Sequence, residues 1–241
     1  MPIAALYDIH ANLPALEAVL AEIQQQQVDQ IVVGGDVLPG PMPRETLDLL
    51  LKLEIPVQFI QGNGEVAVLE SMAGREPSKV QPPYRHIIQW TAEQLSQDDR
   101  NTIAAWPKTL RLGDILFCHA TPRNEDEIFT KLTSDAKLEP VFAGVDAALV
   151  VCGHTHMQFD RRVGKIRVVN AGSVGMPFGE TGADWLLLKP EPELRHTNYG
   201  LADAAARIQG AAYPDDFADR YVLHPPSEQQ MLAIYSKVEL T

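Results

Sequence analysis

The first 64 residues alternate strand, helix, strand, helix, strand, and each strand runs out into a short segment carrying an acid, histidine or amide side chain. Residues 3–7 read as a short buried strand. Asn12 then stands where a helix cap belongs, ahead of Leu13, Leu16, Val19, Leu20 and Ile23 at three- and four-residue spacing. Residues 31–33 form a second strand ended by Gly34-Gly35-Asp36, and Pro39, Pro41 and Pro43 stiffen the loop that follows. A helix over 44–52 leads to a third strand over 57–60, ended by Gly62-Asn63-Gly64. This order predicts a parallel sheet with helices on its faces.

Beyond residue 80 the pattern predicts helices over 85–95 and 97–106, separated by a capping Ser96. Strands are expected at Ile115–Cys118, Leu149–Cys152, 166–169 and 185–188; the later ones lie close together, which predicts antiparallel pairing in a second sheet. Helices over 200–212 and 226–238 close the chain, with Pro214 and Pro225-Pro226 marking the breaks. One domain over 1–241 is expected, its core reaching to about residue 190 and its C-terminal helical closure running from about 200 to 241.

Composition narrows the partners. Twenty basic against 32 acidic residues give a net charge of −12, which repels long nucleic acids and suits a small phosphorylated substrate drawn to bound cations. The N-terminus lacks the basic start of a signal peptide, and no run approaches the roughly 18 apolar residues of a membrane span, so a cytoplasmic protein without a membrane partner is expected. Cys118 and Cys152 are too few for a disulfide framework. Strand alternation turns Cys118 away from the face that takes His119, so both are expected as buried structural thiols.

The polar groups at the strand ends are Asp8-Ile9-His10, Asp36, Asn63, His119 and Gly153-His154-Thr155-His156. An Asp-x-His arises readily by chance, whereas Gly-His-Thr-His is expected on the order of once in a thousand chains of this size. Their joint placement weighs more than either, because an open α/β sheet forms its crevice beyond the carboxyl ends of its strands. His86, His196 and His224 lie outside this pattern and are expected as surface or packing residues.

These motifs resemble those of the calcineurin-like metallophosphoesterases from residue 3 to about residue 190. The run from Asp8 to Val19 is similar to the first motif of the small bacterial phosphodiesterases in that superfamily, and Asn170-Ala171-Gly172-Ser173-Val174-Gly175 to their last. The resemblance implies an α/β fold, a four-layer α/β/β/α sandwich of two mixed sheets packed face to face with helices outside. It implies one metal on Asp8, His10 and His156, another on Asn63, His119 and His154, and Asp36 bridging. Oxygen and imidazole ligands without thiolate suit two divalent ions, manganese first, with iron, zinc or nickel as alternatives. Such a pair, about 3.5–4 Å apart, deprotonates a bridging water that attacks phosphorus in line. Asp36, Asn63 and His119 are the residues expected to serve catalysis directly. Asn12 and Arg123 are expected to contact substrate, the alternatives being a helix cap for Asn12 and a solvated charge for Arg123.

The sequence also departs from the family pattern. Gly64 stands where many members carry a histidine that protonates the leaving group, which favours acidic leaving groups. Glu65 matches an acidic position of the family, or is a charge favoured at a helix start. Tyr7 replaces a small hydroxyl residue and is expected in the core, Ala11 replaces a glycine, and Phe178 replaces an arginine, either to stack a nucleobase or simply to pack. The expectation is a phosphodiesterase acting on small phosphodiesters or nucleotides. The alternatives are a phosphomonoesterase or protein phosphatase of the same superfamily, and a metal-binding scaffold without catalysis.

Overall fold

The computed structural model describes residues 2–240. Two five-stranded sheets form. The first runs β10 (Pro192–Thr197), β9 (Ala183–Leu188), β1 (Ile3–Leu6), β2 (Gln30–Val33), β3 (Val57–Phe59), with β1, β2 and β3 parallel and β9 antiparallel to β1. The second runs β4 (Thr109–Leu112), β5 (Ile115–Cys118), β6 (Leu149–Cys152), β8 (Ile166–Asn170), β7 (Phe159–Val163).

Strand direction in the later part differs from the sequence expectation. β5, β6 and β8 are mutually parallel, and residues 183–188 leave the second sheet to pair with β1 in the first. The connections explain this. Helix α6 (Asp135–Phe142) carries the chain back between β5 and β6, and β7 carries it back between β6 and β8, so each returning strand starts from the same edge.

Alternation within the strands builds the layers. In β1, Ala4 and Leu6 face outward with Ile31 and Val33 of β2, where they meet Leu16 and Val19 of α1 (Leu13–Gln25), Leu47 and Leu50 of α2 (Pro43–Leu51), and Val68 of α3 (Asn63–Met72). Helices α4 (Arg85–Glu93) and α5 (Gln97–Ala104) add Ile88 and Ile103 to the same layer. Ile3, Ala5 and Val32 face inward against Phe117, Val151 and Val169 of the second sheet. On that sheet's far side, Cys118, Val150, Cys152 and Val168 meet Leu138, Val141 and Phe142 of α6. The result is the four-layer α/β/β/α sandwich, and both cysteines lie buried and unpaired in its outer seam.

Asn12 caps α1, its Oδ1 accepting from Ala15 N at 3.2 Å, and Ser96 caps α5 through Asp99 N. The C-terminal part consists of α7 (Leu201–Gln209), a π-helical stretch Ala218–Leu223 and α8 (Glu228–Tyr235). Ala204, Ile208, Phe217 and Val222 there form a small cluster of their own. Among the described residues no helix is long and apolar enough to cross a membrane.

Candidate metal centre

Asp8 follows β1, Asp36 follows β2, Asn63 opens α3 just beyond β3, His119 follows β5, and His154 and His156 follow β6. All five strand ends emerge at one side of the sandwich, so the loops meet. They also bond to one another: Asp8 N donates to Gly35 O at 3.1 Å and His10 N to Asp36 O at 2.9 Å. Asp8, His10, Asp36, His154 and His156 all hold positive φ, between 47° and 68°. Left-handed backbone costs a non-glycine residue about 1–2 kcal/mol. Five such residues around one point mark a place where side-chain direction outranks local comfort.

The side chains converge accordingly. His156 Nε2 lies 3.3 Å from Asp8 Oδ1 and His10 Nε2 lies 4.0 Å from it. His119 Nε2 lies 3.8 Å from Asp8 Oδ1 and 3.6 Å from Asp36 Oδ1, while Asp36 Oδ2 lies 3.9 Å from His10 Nε2. Two ligand atoms about 2.1 Å from a shared ion fall at most ~4.2 Å apart, so these separations suit common ions. Asp36 presents one oxygen to each side.

Proton placement makes the fit to cations sharper. His10 Nδ1 donates to Pro39 O at 3.2 Å, His119 Nδ1 to Gly34 O at 3.0 Å, and His156 Nδ1 to Met176 O at 3.0 Å. Each carbonyl fixes the tautomer and leaves Nε2 as a bare lone pair. His10 Nε2 then faces His156 Nε2 at 3.2 Å, and His119 Nε2 faces Asn63 Oδ1 at 3.1 Å, acceptor against acceptor. Asp8 Oδ1 and His154 Nε2 are buried without any hydrogen-bond partner. Buried acceptors pointed at one another are costly unless cations lie among them. Burial pushes the imidazoles of His10 and His154 down to about 3, which keeps both neutral and available as donors. Asp36 is pushed up by burial and by the Asp8 charge.

A ring of supporting groups fixes the loops. Glu65, wholly buried, accepts from Gly62 N at 2.7 Å, Asp36 N at 2.8 Å and Leu38 N at 3.0 Å, tying the ends of β2 and β3 together. Burial and the Asp36 charge raise its carboxyl to about 7. Asn170 Nδ2 donates to Gly153 O at 2.6 Å, and Ser173 Oγ donates to Asp8 O at 2.7 Å. Tyr7 reaches from β1 across the middle layer to donate to Val151 O at 3.0 Å, as strand alternation predicts. Gly34 and Gly153 flank its ring, and a Cβ on either would come within 2.6 Å of it.

At three positions where the sequence leaves two readings open, the geometry bears on the choice. Asn12 is wholly buried and takes the helix-cap role, with Oδ1 on Ala15 N and Nδ2 donating to Gly175 O at 2.9 Å and to the Tyr199 hydroxyl at 3.4 Å, so a phosphate contact would compete with those partners. Arg123 is exposed and pairs with Glu127, four residues along, so substrate would have to displace that partner. Phe178 stacks on the His156 imidazole at 5.1 Å, packing behind a candidate ligand instead of standing clear as a platform.

The sequence reading underrated Glu65 and missed a set of aromatic residues beside His10. Tyr213, Phe217 and Tyr221 recur every fourth residue, a spacing visible in the sequence, and with Tyr84 and Ile88 they line a cavity of about 150 Å³ that opens on His10. A second cavity of about 410 Å³ opens beside Asn63 and His154 and is lined by charged groups, among them Glu70, Lys79, Glu125 and Asp126.

A sandwich of two mixed sheets whose loops gather carboxylates and imidazoles around buried bare lone pairs is that of a metal-binding α/β protein. Residues 1–191 match the calcineurin-like phosphoesterase superfamily domain, and the chain belongs to that superfamily of metal-dependent hydrolases. It is 30% identical to an uncharacterized protein of Methanocaldococcus jannaschii, over 92% of this chain and 97% of that one. It is similar to the crystal structure of a metallophosphoesterase from Sphaerobacter thermophilus, with TM-score 0.76 and 27% identity over 91% of this chain and 98% of that one. A hypothetical protein from Pyrococcus horikoshii OT3 shares the fold, with TM-score 0.76 and 20% identity over 90% of this chain and 96% of that one.

Proposed function

We propose that this protein is a two-metal phosphodiesterase that hydrolyses small phosphodiesters or nucleotide esters with acidic leaving groups, with manganese as its preferred ion. The observation that carries the reading is the convergence of buried ligand atoms in two groups that share Asp8, Asp8/His10/His156 and Asp8/Asp36/His119, with an oxygen of Asp36 toward each side and the unpartnered Nε2 of His154 on the ring that packs against His119. Divalent ions held there would activate a water near neutral pH and neutralise charge on the phosphoryl oxygens.

The chain's own part is positioning. Asp36 is aimed by two backbone bonds, its N–H to Glu65 and its Oδ1 from Gly64 N at 2.7 Å. The three imidazoles bonded through Nδ1 cannot rotate without losing a carbonyl acceptor, so Nε2 stays directed inward. Position 64 supplies no proton to a departing oxygen. The space there is also taken, because a Cβ on Gly64 would sit 2.0 Å from Leu38 O and 2.9 Å from Asp36 Oδ1. Esters whose leaving oxygen is acidic enough to depart unprotonated are therefore favoured, which argues for diesters over alkyl monoesters. A net charge of −12 also favours small anions delivered to bound cations over long nucleic acids.

Manganese-loaded protein should hydrolyse a bis-aryl phosphate faster than a mono-aryl phosphate, and Asp36→Asn should lower both rates by about 100-fold or more. If neither ester is hydrolysed above the variant's rate, the reading is wrong. A faster monoester would instead favour the phosphomonoesterase alternative.

A further inference from the structure

We propose that the aromatic cavity beside His10 is a specificity subsite that binds one planar aromatic ring carried by the substrate, and that the C-terminal segment exists in part to build it. The inference rests on the assignment of the metal centre above and names what that centre is shown.

Three observations carry it. The cavity is continuous with the site, since His10, a candidate ligand, forms part of its wall together with Pro39, whose carbonyl orients that imidazole. Its walls are rings and branched chains, Tyr84, Ile88, Tyr213, Phe217 and Tyr221 among them. These rings are set by contacts among themselves, Tyr213 to Phe217 at 6.0 Å edge-on and Phe217 to Tyr221 at 5.3 Å. Arranged this way, they can offer a face or an edge to a further ring. Its volume, about 150 Å³, is of the order that accepts one benzene-sized ring.

Charge separates this cavity from its neighbour. The one acid in its lining, Asp215, is already paired with Arg220 at 3.1 Å, and the Arg220 guanidinium lies over the Tyr221 ring at 5.0 Å. What remains toward the interior is apolar and aromatic. The cavity beside Asn63 and His154 is lined by Glu70, Glu125 and Asp126 against Lys79, and suits hydrated polar groups. A substrate whose phosphorus lies between the ligand sets would therefore place an aromatic substituent on the His10 side.

Calorimetric titration of the manganese-loaded full chain tests this with two ligand pairs, phenylphosphonate against methylphosphonate, and adenosine 5′-monophosphate against ribose 5-phosphate. At least one ring-bearing ligand should bind about tenfold more tightly than its ringless partner. The pair showing the preference tells whether the ring is joined directly to the phosphoryl group or through a sugar. Tyr84→Ala or Tyr221→Ala should cut that ratio to about twofold or less, and Tyr84→Phe should keep it. Tyr84 is exposed, so its truncation leaves the fold in place. Binding in both pairs without a preference for the ring overturns the subsite and leaves the metal centre standing. If no phosphorylated ligand binds, phenol is titrated into the metal-free protein by NMR. Shifts abolished by Tyr84→Ala then support the cavity while the metal reading fails, and no shifts overturn the cavity as well.

Discussion

The loops that carry the candidate ligands and the C-terminal segment that walls the aromatic cavity face the same centre but are held in opposite ways. The ligand loops are buried, strained and bonded redundantly: Asp36 alone is fixed through its N–H, its carbonyl and its carboxylate. The segment from 201 to 223 packs on a small apolar cluster of its own and reaches the body through the exposed pair Arg207–Glu17 on helix α1 and, on helix α4, through the edge-on contact of Trp90 with Tyr213 and the bond from His86 to Pro214 O. A metal site tolerates little displacement, because affinity depends on several ligand directions at once. A wall that sorts substrates by shape needs only apolar contact and can sit on a loosely tied segment. The contrast teaches that, in this molecule, chemistry and selectivity are carried by parts with different tolerances, so substitutions in the two should be distinguishable by size and by kind.

The largest effect should come from Glu65→Ala. It removes the acceptor of three backbone amides, two of them in the turns that carry Asp36 and Asn63, and buried amides left unpaired cost about 1–3 kcal/mol each. A loss of about 3 kcal/mol in denaturant unfolding is expected, together with a 10–100-fold fall in manganese affinity. Loss of stability with unchanged metal affinity would show that the ligand loops are not tied to the scaffold in the way described.

Gly64→His is the next step down. It restores the residue many relatives carry, yet its Cβ meets Leu38 O at 2.0 Å, so the loop must move before the imidazole can approach any leaving group. Overpacking of this kind costs about 1–3 kcal/mol. Hydrolysis of bis-aryl phosphate should fall and monoester hydrolysis should not rise. A variant that gains monoesterase activity would show that the Leu38 loop yields easily, and would move the ligand loops toward the tolerant side of the comparison.

The division between the two regions also decided what could be read from the sequence. Strands with two buried faces, β1, β2, β5 and β6, announce themselves as apolar runs, and the acid or histidine after each stands out against them. Three of the four edge strands do not, β3 being the exception. Thr109–Leu112, Phe159–Val163 and Pro192–Thr197 expose alternate polar residues and carry too little apolar content to be separated from loop. Helix α6 is short and holds Pro140 internally, so its pattern is weak, and without it the parallel pairing of β5 with β6 had no visible cause. Glu65 sits in sequence where a helix-start acid sits, and only the meeting of two turns in space gives it three amides. The four-residue spacing of Tyr213, Phe217 and Tyr221 was legible, but nothing local says that His10, some 200 residues earlier, lies across from it.

The smallest expected effect is the most pointed test of the contrast. Arg207 and Glu17 form an ion pair at the surface, each side chain 44% exposed, and it joins α7 to α1. Exposed pairs contribute at most about 1 kcal/mol, so Arg207→Ala should lower stability by about 0.5 kcal/mol and leave manganese affinity within error. The pair acts on the position of the segment, however, and the segment supplies Tyr213, Phe217 and Tyr221 to the cavity. Loosening it should therefore reduce the preference for ring-bearing ligands by about two- to threefold, an effect that 0.5 M salt added to the wild type should reproduce by screening. If manganese affinity falls along with that preference, the segment and the ligand loops form a single cooperative unit. The different tolerances would then be only apparent, and the C-terminal segment would belong to the metal-binding machinery itself.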